Sequence, residues 1–119
     1  MEQVSEATPV RGDAYLIALA GEFDLYTGPE LERRVLEALG RGAVDVVLDL
    51  TDVTFIDSTT IGILIRTRKR LTPLRGRVLL VCTDPNILRL FEITALDRMF
   101  EIYGTRDAAL EGIGGNGRS

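Results

Sequence analysis

The stretch Val44–Leu71, VDVVLDLTDVTFIDSTTIGILIRTRKRL, decides the fold. Val44 to Leu50 is short and rich in branched apolar residues, which predicts a central strand. Thr51 to Ile56 reads as a connecting segment. From Thr59 onward Ile61, Leu64, Ile65 and Leu71 recur at helical spacing until Pro73 stops the pattern. Asp57 and Ser58 are both good N-cap residues, so the pair sits at or just before the first turn of that helix. A strand that leads into an amphipathic helix is one step of an alternating α/β chain.

The same alternation extends in both directions. Upstream, Ala14 to Ala20 is an apolar run bounded by Gly12-Asp13 and Gly21, the pattern of a strand buried on both faces. A weaker edge strand precedes it around Gln3 to Arg11, where Pro9 confines it to an edge or a bend. After Gly21-Glu22-Phe23-Asp24 comes a helix start: Thr27 as cap, Glu30 completing a capping box, and Tyr26 with Leu31 as a hydrophobic staple. Leu31, Val35, Ala38 and Leu39 share one face, and Gly40 is placed to end the helix.

Downstream, Arg77 to Val81 reads as a strand. Asp84-Pro85 then places an N-cap before proline at the first helical position, with Ile87, Leu88 and Phe91 on the apolar side. Met99 to Tyr103 reads as a last strand and Thr105 to Leu110 as a last helix. Crossovers long enough to hold helices imply largely parallel pairing. The expected architecture is a single α/β domain, residues 1–119, with a mixed, largely parallel sheet covered by amphipathic helices. Its ordered core is expected at about 10–112, with residues 1–9 and 113–119 loose, because polar and Gly-rich ends bury too little to offset ordering entropy.

Composition narrows the functional classes. A net charge of −4 repels nucleic acid phosphates and anionic lipid, so neither is an expected partner. No stretch approaches the roughly 20 apolar residues of a membrane span, and no basic-then-apolar leader opens the chain, so a cytoplasmic location is expected. Arg66, Arg68, Lys69 and Arg70 fall in the last turns of the second helix, where cations complement the macrodipole; a docking surface for an acidic partner is the second reading of that cluster. The chain has no histidine, which removes the usual base for a serine or cysteine nucleophile and the commonest metal ligand. No enzymatic activity, metal or cofactor is expected. The one cysteine, Cys82, follows Val78 to Val81 and reads as a small core residue.

Function is carried by one constellation: Asp24 and Thr27 at the first helix start, with Asp57, Ser58, Thr59 and Thr60 at the second. In α/β domains the loops entering helix N-termini are where ligands and modifications are handled. By itself an Asp-Ser-Thr-Thr run is ordinary helix-start chemistry. Three longer strings alter that reading. Leu48 to Gly62 (LDLTDVTFIDSTTIG) resembles the signature of the STAS family (sulfate transporter and anti-sigma factor antagonist) around its phosphorylated serine. Gly21 to Asp24 is similar to that family's G-E-[LI]-D turn, and Leu90 to Phe100 to its L-x-x-T-G-L-D-x-x-F segment. The likeness covers Tyr15 to Leu110, with Thr60 and Ala95 standing where the family has glycine. Ala95 disfavours a left-handed turn.

The resemblance implies a free-standing antagonist, monomeric when free. Unphosphorylated, it would bind an anti-sigma factor that is also a serine kinase and so free a sigma factor for transcription. The kinase would mark Ser58, with Thr59 as the weaker acceptor, and a serine phosphatase would reverse the mark. Asp24, Thr27, Asp57, Thr59 and Thr60 would surround the acceptor. The alternative within the same fold is a non-catalytic scaffold or ligand-sensing module of a larger signalling assembly.

Overall fold

The computed structural model describes residues 3–114. Its elements run β1 (Thr8–Arg11), β2 (Ala14–Phe23), α1 (Gly28–Gly40), β3 (Asp45–Ile56), α2 (Ser58–Leu71), β4 (Val78–Val81), α3 (Pro85–Ile93), β5 (Glu101–Tyr103) and α4 (Arg106–Gly114). Single 3-10 turns at Thr72–Leu74 and Leu96–Arg98 follow α2 and α3. The strands form one sheet in the order β1-β2-β3-β4-β5. β1 is antiparallel to β2, and every other pairing is parallel. This is the mixed, largely parallel α/β domain expected from the alternation.

Three features of the backbone differ from the sequence reading. Thr51 to Ile56 is not a connection: β3 continues through it as a strand of 12 residues. The extension is held by β2, whose Ala20, Gly21, Glu22 and Phe23 lie opposite Asp52, Val53, Phe55 and Ile56, while Val53 and Ile56 turn into the core. Accordingly β2 also runs on to Phe23, with Gly21 inside it at φ 86° beside a register shift. Only glycine adopts that conformation freely, and the resulting bulge re-aims the end of β2. Gly21 also lies beneath Gln3, whose Nε2 would be 2.8 Å from an added Cβ.

The N-terminal segment is the second correction. From residue 3 it lies against β2: Ser5 N–H donates to Ala18 O at 2.9 Å, Gln3 O accepts from Ala20 N–H at 2.9 Å, and Val4 and Ala7 are buried. Two well-placed apolar side chains and main-chain pairing suffice to order what its polar composition left loose. The expectation of loose ends at residues 1–2 and 115–119 lies outside the described residues. Third, Ala95 does take a left-handed conformation, φ 61°, between α3 and the following turn. The connection requires it there, and the position is exposed.

Most apolar side chains form one core between the sheet and helices α1, α2 and α3, including Phe23, Leu31, Leu48, Leu64, Leu80 and Phe91. Complete burial of each such side chain is worth about 1.5–3 kcal/mol. A smaller cluster on the opposite sheet face, built from Leu16, Val47, Leu79, Val81 and Ala109, is covered by α4. Cys82 is buried in the main core, as its strand position suggested, and burial pushes its thiol pKa up. The basic cluster at the end of α2 does more than answer a dipole. Arg66 and Arg70 both grip Glu32 of α1, at 2.9 to 3.0 Å, and tie the two helices together.

Candidate functional site

The parallel strands β2 and β3 end side by side, and each feeds a helix start. Asp57 N–H donates to Phe23 O at 3.1 Å, which locks the two exits together. Both loops then resolve their capping chemistry with an aspartate. Asp57 is the N-cap of α2: its Oδ1 accepts from the Thr60 backbone N–H at 3.0 Å and stands 3.3 Å from the Thr60 hydroxyl. Ser58 is thereby relieved of capping. It occupies the first helical position, exposed, and its hydroxyl has no hydrogen-bond partner among the described residues. Thr59 beside it is also exposed.

The first loop departs from the expected capping box. Thr27 makes no cap bond to α1. Its Oγ1 accepts from Asp24 N–H at 2.9 Å and donates to Glu22 O at 3.0 Å. Asp24 Oδ1 accepts from the backbone N–H groups of Tyr26 at 2.9 Å and Thr27 at 3.2 Å. Those two N–H groups hold the Asp24 carboxyl below its ordinary pKa, so this loop carries a fixed negative charge. Glu30 does not reach back; it pairs with Arg33 at 2.7 Å and Arg34 at 3.3 Å on its own helix. The staple also fails. Leu31 is buried but Tyr26 is 82% exposed, because the Asx turn at Asp24 directs Tyr26 outward.

The helix starts meet at Gly28. A Cβ there would lie 2.8 Å from Ile63 Cδ1, 3.7 Å from Thr59 Cγ2 and 3.8 Å from Thr60 Oγ1, so the missing side chain lets α1 press against the first turn of α2. Of the expected site residues, Asp24, Thr27, Asp57, Ser58 and Thr59 are at least partly exposed at this junction. Thr60 is not: at 1% exposure it supports the surface from beneath and cannot form part of it. The threonine's role is to offer Asp57 both a backbone and a hydroxyl donor.

Sequence reasoning missed the apolar rim of the junction. Leu25 is 57% exposed and Tyr26 lies beside it in the first loop, while Phe55, three residues before Ser58 and opposite Glu22 in the sheet, is 49% exposed. A staple at Tyr26 and a connection at Phe55, the readings their neighbours suggest, give neither residue a place on this surface. No group of histidine, cysteine, aspartate or glutamate side chains suited to a metal ion occurs among the described residues, and no described helix is long and apolar enough to cross a membrane.

Comparison with known proteins agrees with this geometry. The chain is 33% identical over 95 residues to the anti-sigma-B factor antagonist of Staphylococcus epidermidis, covering 80% of this chain and 88% of that one. A counterpart from Staphylococcus aureus is 32% identical over the same length and shares. Among solved structures, an anti-sigma factor antagonist from Mycobacterium paratuberculosis superposes with a TM-score of 0.80 at 27% identity, covering 92% of this chain and 93% of that one. The family model described as STAS domain matches residues 6–109. With that model spanning residues 6–109 and curated relatives a third identical over 80% of the chain, this protein belongs to the STAS domain family.

Proposed function

We propose that this protein is an anti-sigma factor antagonist whose unphosphorylated form binds an anti-sigma factor and frees a sigma factor for transcription, and whose binding ends when Ser58 is phosphorylated. The observation that carries the reading is the Ser58 hydroxyl: exposed, unpartnered, and held at the first position of α2 by a cap that belongs to Asp57. The names of the staphylococcal relatives support the role. The kinase that marks Ser58 is the anti-sigma factor itself in this reading, a serine phosphatase restores the free hydroxyl, and Thr59 is the secondary acceptor.

The switch follows from charge. A phosphate adds about −1.5 to −2 at neutral pH, within a surface that already presents the Asp24 and Asp57 carboxylates. Leu25, Tyr26 and Phe55 supply the apolar area that docking would remove from water, so the added charge would be desolvated on binding. Two unit charges about 5 Å apart at an effective dielectric of about 20 interact by roughly 3 kcal/mol, on the order of a hundredfold in affinity. The phosphate meanwhile faces the N-terminus of α2, which favours an anion by about 1 kcal/mol, so release of the partner needs no unfolding.

Pull-down with candidate anti-sigma factors tests the reading. Ser58→Ala should bind and resist modification by kinase and ATP, and Ser58→Asp should bind at least tenfold more weakly. Equal binding by Ser58→Asp and the parent, with no phosphate on the Ser58 peptide by mass spectrometry, would overturn it.

A further inference from the structure

The end of β2 has little stiffness of its own. Gly21 stands there at φ 86° beside a register shift, and a residue without a side chain does little to fix the direction in which Glu22 and the following loop leave the sheet. The hold comes from the N-terminal segment. Residues 3–5 lie antiparallel to β2 through the Val4–Leu19 bridge, with Ser5 N–H donating to Ala18 O and Ala20 N–H to Gln3 O, both at 2.9 Å. Val4, 2% exposed, anchors this strap in the core. Two of its side chains complete the ladder. Ser5 Oγ accepts from Ala18 N–H at 2.8 Å. Gln3 Nε2 donates to Ala20 O at 3.4 Å and to Glu22 O at 3.2 Å, using the two hydrogens of one amide. Gln3 therefore bonds the residues on both sides of Gly21, and its Nε2 passes so close that a Cβ on Gly21 would lie 2.8 Å away.

Glu22 O is a shared acceptor. Thr27 Oγ1 also donates to it, at 3.0 Å, and that bond turns the hydroxyl's lone pairs toward Asp24 N–H, from which it accepts at 2.9 Å. Asp24 Oδ1 in turn receives the Tyr26 and Thr27 N–H groups, and the loop leaves Leu25 and Tyr26 exposed. One carbonyl thus joins the strap to the loop, held by Gln3 on one side and by Thr27 on the other. We infer that Gln3 is a positioning residue for partner docking: by splinting the bulge at Gly21 it fixes Glu22 O, and through Thr27 and Asp24 it holds Leu25 and Tyr26 in the arrangement a partner meets. This rests on the reading of that loop as part of the docking surface. A loop ordered beforehand loses less freedom when it binds, so the gain is in affinity and needs no new contact.

The test is Gln3→Met in the full chain, which keeps an unbranched side chain of similar length over Gly21 and removes its donor. Amide exchange of Asp24, Tyr26 and Thr27, followed by NMR on the free protein, should quicken about three- to tenfold, the size of one net hydrogen bond. Because Gln3 is exposed, the thermal midpoint should stay within about 2 °C of the parent. Affinity for the anti-sigma factor that the parent retains in pull-down should fall by a similar about three- to tenfold. Gln3→Lys, which returns a donor on a longer stem, should restore slow exchange at the three amides. Parent-like exchange there in Gln3→Met, quickening spread evenly over β2, no recovery with Gln3→Lys, or unchanged affinity for that anti-sigma factor would overturn the inference. A parent that binds no anti-sigma factor refutes the function proposed above instead, and the role of Gln3 then stands or falls on the loop exchange alone.

Discussion

Asp57 does two things at the junction, and removing its carboxylate separates them. In Asp57→Ala the α2 N-terminus loses its side-chain cap, a loss of about 1 kcal/mol. The Thr60 backbone N–H, 3.0 Å from Asp57 Oδ1, is that cap bond; the Thr60 hydroxyl, in a residue 1% exposed, loses in addition the acceptor that stands 3.3 Å away. Leaving that buried hydroxyl unsatisfied costs about 1 kcal/mol more. The expected sum is about 2 kcal/mol out of the roughly 5–15 kcal/mol typical of a domain, or a fall of roughly 6–10 °C in the thermal midpoint for a chain of this size. Asp57→Asn keeps an acceptor oxygen at the same reach and is expected to lie within about 0.5 kcal/mol of the parent. Urea unfolding with an unchanged m-value is the assay, and amide exchange over residues 58–61 should quicken in the alanine variant alone. If Asp57→Ala unfolds at the parent's urea midpoint, or Asp57→Asn costs as much as Asp57→Ala, the cap is not what holds Ser58 in place and the account of the site fails.

Other consequences can be measured on the same protein. Ala95→Gly should raise stability by about 0.5–1 kcal/mol, because it relieves a left-handed alanine at an exposed position by more than it loosens the unfolded chain; an equal or lower urea midpoint would contradict this. Gly76→Ala would place a Cβ 1.8 Å from Val44 O, a clash with backbone that cannot rotate away, so a loss of about 3 kcal/mol or more, or failure to fold, is expected. The Glu32 carboxyl is held down to about 2, first by the hydrogen bond from Arg66 and then by that from Arg70. Since its folded pKa lies below the unfolded value of 4.5, its contribution is present above about pH 4.5 and is lost as pH falls toward 2. Thermal unfolding of Glu32→Gln over that window should show a shallower decline than the parent; parallel curves would show that the Arg66–Glu32–Arg70 link adds nothing to stability.

Much of this architecture was legible in local chemistry. The Asp84-Pro85 start was read correctly, with Asp84 accepting from Asn86 and Ile87 N–H at 2.8 and 3.2 Å, because cap and proline act within three residues. The helical spacing of Leu31, Val35 and Ala38, and of Leu64 and Leu71, identified the buried faces, since burial of a helix stripe needs no knowledge of its partner. The choice of Ser58 came from the long string around it and from the same local rule, which offered Asp57 and Ser58 equally as caps.

Local chemistry alone sets the periodic order of strands and helices and the pairing of aspartate with serine at one helix start, because propensity, capping and apolar spacing act over a few residues. Tertiary structure decided the rest. The second half of β3 is polar enough to read as a loop and is a strand only because β2 lies beside it. Val4 and Ala7 are ordered because a sheet edge was waiting for them, and Ala95 is left-handed because α3 and β5 must be joined. Tyr26 and Phe55 became surface, and Thr60 interior, through the way two parallel strand ends and Gly28 bring the loops together. Contacts between residues thirty positions apart leave no periodic trace in the chain, so only the folded arrangement shows that Asp57 and not Ser58 caps the helix and that the Ser58 hydroxyl is the one left free.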